Sequence, residues 1–149
     1  MTENEKILAG LLQDVHSWTD LKPKLSEYNT SATDTTAKTT RAGKLFEYFT
    51  KLCFLHDSEF AAEYDCKDVY LYEEIPTDLK QKLNLPTVEH GIDLLIVDRD
   101  EKVIAVQCKF KNDETVKLNW NADKLGNFFG FARNADLHCV FSNSSDILN

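Results

Sequence analysis

The chain has 149 residues, with 25 acidic and 17 basic side chains and a formal net charge of -8. This length predicts one domain with a single core, and 42% hydrophobic residues exclude a largely disordered chain. No apolar run is long enough to cross a bilayer, and the acidic, polar residues 1–5 exclude a secretory signal. The negative charge argues against a free-standing protein that binds nucleic acid by electrostatics alone.

The four cysteines are Cys53, Cys66, Cys108 and Cys139. They form no C-x-x-C pair, which argues against a zinc site, and a chain of this size does not need a disulfide framework. Reduced thiols and an intracellular, cytoplasmic location are therefore predicted.

The first 40 residues predict a small helical lead-in. Residues 2–16 have the pattern of a helix, with Thr2 and Glu5 at capping-box spacing. A second short helix is predicted at 20–28, with Pro23 in its first turn. Residues 29–40 contain six threonines and predict a polar connection. The predicted organisation is a lead-in at 1–40 and an α/β domain at 41–149 that is part of a longer protein.

The α/β domain opens with a predicted helix at 41–55. Residues 60–72 predict one or two strands, and 76–86 predict a connection with one helical turn capped by Thr77. Later in the chain, a helix is predicted at 121–134 and a last strand at 137–141. This order of elements predicts a mixed α/β sandwich.

The strongest pattern is an apolar hairpin, with strands at 91–97 and 103–110. Both faces of each strand are apolar, so the hairpin should lie in the middle of a covered sheet. Three polar side chains interrupt it: Asp93, Gln107 and Lys109. A three-residue loop would place Asp93 opposite Gln107, and odd-length loops put all three groups on one face. A two-residue loop would send Asp93 to the other face.

These residue types suit a divalent cation and a phosphate. Mg²⁺ prefers hard oxygen ligands, which Asp93, the Gln107 side chain and the Cys108 carbonyl can supply. Lys109 suits charge that develops on phosphate. The alternative interpretation is a turn aspartate and a solvated strand edge.

Two segments of the hairpin resemble the PD-(D/E)xK nuclease superfamily. Gly91-Ile92-Asp93 and Val106-Gln107-Cys108-Lys109 are similar to its Mrr-like restriction endonuclease branch, which has a Q-x-K half-motif. Residues 43–47 resemble the family's first helix, and residues 71–76 resemble nuclease domains that precede helicase-like motors. The resemblance covers roughly residues 41–146.

The resemblance implies a restriction-endonuclease-like central mixed sheet flanked by helices and a DNA endonuclease dependent on Mg²⁺ or Mn²⁺. Asp93 would be the metal-binding acid, Gln107 the second ligand, Lys109 the catalytic lysine, and Glu47 would orient the metal or its water. A plain helix glutamate paired with Lys51 is the alternative for Glu47. Gln107 departs from the acid of many members, and a neutral amide binds cations less strongly. The implied partners are DNA and a helicase or translocase domain in the same or a partner chain.

Two other classes stay open. In the first, the domain has the same fold but no catalytic activity, and it docks DNA or helps to assemble a larger complex. A metal-independent protein-interaction domain would be favoured if Asp93 and Lys109 lay on opposite sheet faces.

Several other side chains are weaker candidates. Four basic side chains are predicted either to contact phosphate or to lie on a solvated surface: Lys111, Lys117, Lys124 and Arg133. His90 is predicted to be a loop residue that could approach the site. The aromatic residues Trp120, Phe128, Phe129 and Phe131 are predicted to be core rather than a base-stacking platform.

The acidity is concentrated in one block. Residues 57–101 have a net charge of -9, whereas 41–56 and 102–149 have +2 and +1. The charge therefore does not exclude DNA. It predicts that this domain alone binds DNA weakly and that tight binding comes from a partner domain.

Overall fold

The computed structural model describes residues 2–30, 35–88 and 91–148. The chain divides into two compact units, Met1–Phe49 and Thr50–Asn149. Their boundary falls inside one helix, Thr35–His56. The functional division predicted after residue 40 stays a prediction.

The first unit is helical, as predicted. It contains α1 (Glu3–Leu11), α2 (Trp18–Thr30) and the first part of α3 (Thr35–His56). The predicted capping box is confirmed, because the Thr2 hydroxyl accepts the Glu5 N–H while the Glu5 carboxylate accepts the Thr2 N–H. The buried side chains of this unit are Leu8, Leu21, Leu25, Ala42, Leu45 and Phe46.

Several predicted boundaries in this unit were wrong. The first helix ends at Leu11 rather than at residue 16. At this helix end, the Lys24 ammonium donates to the carbonyls of Leu11 and Gln13 at 3.0 and 2.8 Å. The second helix begins at Trp18, so Pro23 lies inside it rather than in its first turn. The predicted polar connection is helical up to Thr30 and again from residue 35, while residues 31–34 lie outside the described chain.

The second unit is a four-stranded mixed sheet flanked by helices, which confirms the predicted fold class. After the end of α3, its elements are α4 (Ser58–Tyr64), β1 (Cys66–Leu71), a 3-10 turn (Tyr72–Glu74), α5 (Thr77–Lys82), β2 (Leu94–Asp98), β3 (Val103–Lys109), β4 (Leu118–Asn119), α6 (Leu125–Phe131), β5 (Leu137–Ser142) and β6 (Ile147–Leu148).

The strand order in the main sheet is β1-β2-β3-β5. Strands β1, β2 and β3 are antiparallel, and β5 is parallel to β3. A crossover that contains α6 joins β3 to β5, because parallel neighbours cannot be connected by a tight turn. The predicted hairpin therefore occupies the middle of the sheet, with an edge strand on each side.

Both faces of this hairpin are covered. On one face, Leu95, Val103 and Ala105 belong to a buried cluster with Phe128 and Ala132 from α6 and its C-cap. On the other face, the buried ring of Phe54 from α3 packs on Phe60 and Phe141 at centroid distances of 5.4 and 5.8 Å. The continuous apolar sequence of the two strands follows from this double burial.

Sequence patterns misplaced three elements of this unit. Residues 60–64 are helical rather than extended, because the Asp57 carboxylate accepts the N–H groups of Glu59 and Phe60 and caps α4. Thr77 is the first residue of α5 and not its cap, which is Pro76. The helix predicted at 121–134 is shorter, Leu125–Phe131, and the small parallel pair β4–β6 was not predicted.

Among the described helices, none combines the length and apolar character needed to cross a bilayer.

Candidate active site

The hairpin loop sets the register of the site. Strands β2 and β3 pair from Leu94–Val106 to Val97–Val103, and the Asp98 N–H donates to the Lys102 carbonyl at 2.9 Å. The Asp98 carboxylate also accepts the N–H groups of Asp100 and Lys102 at 2.9 and 2.8 Å. The loop is therefore three residues long and ends with Glu101 in the left-handed region, at φ 62°. This is the loop length for which Asp93 is predicted to lie opposite Gln107. The ladder itself ends at Leu94–Val106, and the Asp93 N–H donates to the Val106 carbonyl, one residue before Gln107.

Asp93 lies immediately before the first paired residue of β2, with 6% of its surface exposed. Its N–H donates to the Val106 carbonyl at 2.9 Å, and its own carbonyl accepts the Tyr72 N–H at 3.0 Å. Its carboxylate accepts the Cys108 N–H at 2.7 Å. If the regular pairing of β2 with β3 continued, the Cys108 N–H would donate to the backbone carbonyl of residue 92. The Asp93 carboxylate takes the place of that carbonyl. It thus lies beside the backbone between Gln107 and Lys109.

Gln107 carries a buried amide whose oxygen lacks a partner. The residue is 3% exposed, and its Oε1 accepts no hydrogen bond from the described residues. Space beside it is limited: a Cβ at Gly91, which has φ 86°, would lie 3.7 Å from both the Gln107 Nε2 and the Phe128 N. An unpaired buried amide oxygen carries a desolvation penalty of roughly 1–3 kcal/mol. This penalty calls for a functional explanation.

Lys109 is the last residue of β3 and is half-buried. Because side chains alternate along a strand, Lys109 projects from the same face as Gln107. Its carbonyl accepts the Ser142 hydroxyl at 2.7 Å. Just beyond, the Asn143 side chain accepts the Lys111 N–H at 2.8 Å and donates to the Lys111 carbonyl at 2.7 Å. Sequence reasoning missed these two positioning residues, although a polar Ser-Asn pair directly after a strand is a signal for such backbone contacts.

The predicted DNA contact Lys111 is engaged within the protein. Its ammonium pairs with the Asp123 carboxylate at 2.7 Å, and the same carboxylate accepts the Asn119 N–H at 2.7 Å. Burial works to raise the pKa of Asp123. The Asn119 and Lys111 hydrogen bonds, with the positive charges of Lys111 and Lys109, outweigh burial and hold that pKa below its usual value. Asp123 therefore fixes the segment after β3.

The remaining predicted basic contacts differ in their surroundings. Lys124 and Arg133 are exposed, on either side of α6 in the chain, and Lys117 pairs with Asp146 at 3.3 Å. Glu47 belongs to the first compact unit, where its carboxylate pairs with Lys44 at 3.2 Å. Its predicted role as an active-site glutamate stays a prediction.

The aromatic residues near α6 divide between core and surface. Phe128 is fully buried and Phe129 half-buried, in accordance with the predicted core. Trp120 and Phe131 are 42% and 39% exposed, so their assignment to the core was wrong. Apolar spacing alone does not distinguish the two groups, because α6 is short and Trp120 precedes it. His90 lies outside the described residues.

Three oxygen donors along this stretch of the hairpin are of the types that a hard divalent cation binds. They are the Asp93 carboxylate, the Gln107 amide oxygen and the Cys108 carbonyl, which points to the same edge of β3 as the Cys108 N–H. Within the described ranges no three His, Cys, Asp or Glu side chains form a metal-binding group. The orphaned amide oxygen of Gln107 is therefore the observation that supports the fit.

Comparison with known protein families gives one match. A family model of Mrr-type catalytic domains, described as restriction endonuclease, matches residues 56–143, which is more than half of the chain. The matched range contains Asp93, Gln107 and Lys109 but not Glu47. No curated protein and no solved structure matches the chain. The chain belongs to the Mrr-like restriction endonuclease family of the PD-(D/E)xK superfamily.

Proposed function

We propose that this domain is a metal-dependent DNA endonuclease and that it is the nuclease module of a restriction or helicase–nuclease protein. One observation carries the metal dependence: the buried oxygen of Gln107 has no partner in the described structure, and the Asp93 carboxylate bonds to the N–H of the next residue, Cys108. An apolar residue at position 107 would remove this desolvation penalty. The presence of a glutamine there therefore favours a ligand that binds to its side-chain oxygen.

The chain's own groups have distinct tasks in this proposal. Asp93 supplies the charged oxygen, which the Cys108 N–H holds in place. Gln107 and the Cys108 carbonyl complete the protein's share of the oxygen ligands, and Lys109 faces the phosphate and stabilises charge that develops on it. A bound Mg²⁺ or Mn²⁺ supplies Lewis acidity toward phosphate and lowers the pKa of water.

Cleavage of plasmid DNA tests this function. Supercoiled plasmid is incubated with the purified protein and Mg²⁺ or Mn²⁺, together with its motor domain if the natural protein has one. We expect nicking or linearisation, and we expect Asp93→Ala and Lys109→Ala to abolish it. Asp100→Ala, an exposed aspartate of the hairpin loop, is the matched control and should cleave like the parent. Undiminished cleavage by both site variants would refute the assignment.

The second candidate is a catalytically inactive nuclease fold used for DNA docking or assembly. The neutral Gln107 favours it, since an amide binds cations more weakly than a carboxylate. Calorimetric titration with Mn²⁺ separates the two: heat of binding that disappears in Asp93→Ala supports the nuclease, and no binding supports the inactive module. A third class, a metal-independent protein-interaction domain, would be favoured if Asp93 and Lys109 lay on opposite sheet faces. The contact of the Asp93 carboxylate with the backbone between Gln107 and Lys109 favours the first two classes.

We also propose the context in which the domain works. A helicase or translocase domain, in the same or a partner chain, would provide the DNA affinity that a chain of net charge -8 lacks. The proposed location is intracellular, where the four free cysteines would stay reduced.

A further inference from the structure

We propose that Trp120 is a stacking surface for an unstacked base of the DNA strand that passes the active site. The proposal rests on DNA being the substrate, as set out above. It adds a contact to a nucleobase beyond the contacts to phosphate and metal. It also corrects the sequence-based assignment of Trp120 to the core.

The indole is supported on one side and open to solvent. Its ring stacks on Phe129 with a centroid distance of 5.3 Å and an interplanar angle of 18°. Phe129 in turn lies 5.0 Å from the His138 ring. The edge of the indole rests on Gly126, where a Cβ would come within 3.3 Å of the indole nitrogen. Trp120 is nevertheless 42% exposed, so part of its surface is accessible to another flat ring.

The backbone around Trp120 is fixed by hydrogen bonds. The Asn119 side chain accepts the N–H groups of Asn121 and Ala122 at 3.0 and 2.9 Å. The Trp120 carbonyl accepts the Leu125 N–H at 3.1 Å. A preformed ring loses little conformational freedom on binding, and this favours a recognition role.

The same hydrogen bonds connect Trp120 to the active-site strand. Asp123 accepts the Asn119 N–H and pairs with Lys111, two residues after Lys109. Trp120 is therefore joined through one carboxylate to the strand that carries the Q-x-K residues. Residues 102–149, which include Trp120, have a net charge of +1 in a chain of net -8, and Lys124 lies four residues after Trp120. This local charge fits an anionic strand better than the apolar surface of a protein partner.

Fluorescence gives the first test. In a Trp18→Phe protein, Trp120 is the single tryptophan, and its emission is recorded without metal while a single-stranded thymidine oligonucleotide is added. We expect strong quenching that saturates, because a base stacked on the indole quenches it. Absence of quenching at concentrations where anisotropy shows the oligonucleotide to be bound would overturn the proposal.

Affinity gives the second test. Trp120→Leu should weaken single-strand binding roughly 5- to 100-fold, Trp120→Phe should retain most of it, and duplex binding should change little. Phe131→Leu, an aromatic of similar exposure on α6, is the matched control and should bind like the parent. Unchanged binding by folded Trp120→Leu, or an equal loss for duplex and single strand, would overturn the assignment.

These outcomes are separate from those of the nuclease proposal. Asp93→Ala should lose cleavage and keep Trp120 quenching. If quenching occurs but no variant or parent cleaves, the stacking surface stands and the nuclease proposal fails.

Discussion

Two aspartates near the end of β3 bond to backbone N–H groups rather than to solvent. Asp93 accepts the Cys108 N–H, and Asp123 accepts the Asn119 N–H together with the Lys111 ammonium. The first places a carboxylate against the proposed ligands. The second uses the charge of Lys111, for which the sequence predicted contact with phosphate or a solvated surface. The two carboxylates therefore differ in their partners and not in their residue type.

The lowered pKa of Asp123 makes a prediction for acid stability. A carboxyl with a lower pKa in the folded chain than in the unfolded chain stabilises the fold above its unfolded pKa, and this contribution is lost as pH falls through the folded value. Asp123→Asn should therefore reduce the free energy of unfolding at neutral pH, and the difference from the parent should shrink in acid. Urea denaturation at neutral and acidic pH measures both.

Asp100→Asn is the control for that experiment, since Asp100 is an exposed residue of the hairpin loop. A stability difference between Asp123→Asn and the parent that stays constant down to strongly acidic pH would contradict the assigned role of Asp123.

At the scale of elements, the hairpin depends on the side chain of Asp98, the last residue of β2 before the loop. Asp98 accepts two backbone N–H groups and so closes a three-residue connection. The loop length fixes the register, and the register brings the end of β2 beside Val106, so that the Asp93 carboxylate reaches the Cys108 N–H. A change in this loop would thus displace the proposed ligands without touching them.

We expect Asp98→Ala to lower the free energy of unfolding by about 1–2 kcal/mol, because two N–H groups of the loop lose their acceptor. Asp100→Ala should change it by less than about 0.5 kcal/mol, as expected for a surface position. Denaturant unfolding of both variants gives the comparison. Equal stability of Asp98→Ala and the parent would show that the loop does not depend on this carboxylate.

The hairpin and its polar residues were predictable because the pattern is local. Apolar runs on both sides of a polar turn specify a buried hairpin, and period-two alternation then relates Gln107 to Lys109. Residues 60–64 misled the prediction, since Phe60 and Tyr64 suit a strand by propensity, while Asp57 and burial against Phe54 make the segment helical. Long-range pairs such as Lys111 with Asp123, and the exposure of Trp120, depend on tertiary placement that spacing does not encode.

At the scale of the whole molecule, the charge distribution limits DNA affinity. The basic groups predicted to contact phosphate include two that pair internally, Lys111 with Asp123 and Lys117 with Asp146. Lys109, Lys124 and Arg133 remain as candidates for direct phosphate contact.

About three phosphate contacts predict a weak salt dependence. The logarithm of the binding constant for duplex DNA should fall against the logarithm of salt concentration with a slope near -3, at about 0.9 per phosphate. Fluorescence anisotropy at several salt concentrations measures this slope. A slope steeper than about -6 would mean that a larger basic surface takes part, and that the isolated domain is not the weak binder expected here.

Mn²⁺ titration of Gln107→Met tests the central claim, that the Gln107 oxygen is kept unpaired for a cation. Methionine is close in volume and removes the buried oxygen. We predict Mn²⁺ binding at least about tenfold weaker, with a free energy of unfolding without metal that is unchanged or about 1 kcal/mol higher. Gln81→Met, an exposed glutamine on α5, should leave both quantities unchanged. Parent-like Mn²⁺ affinity in Gln107→Met, or no Mn²⁺ binding by the parent, would contradict the claim.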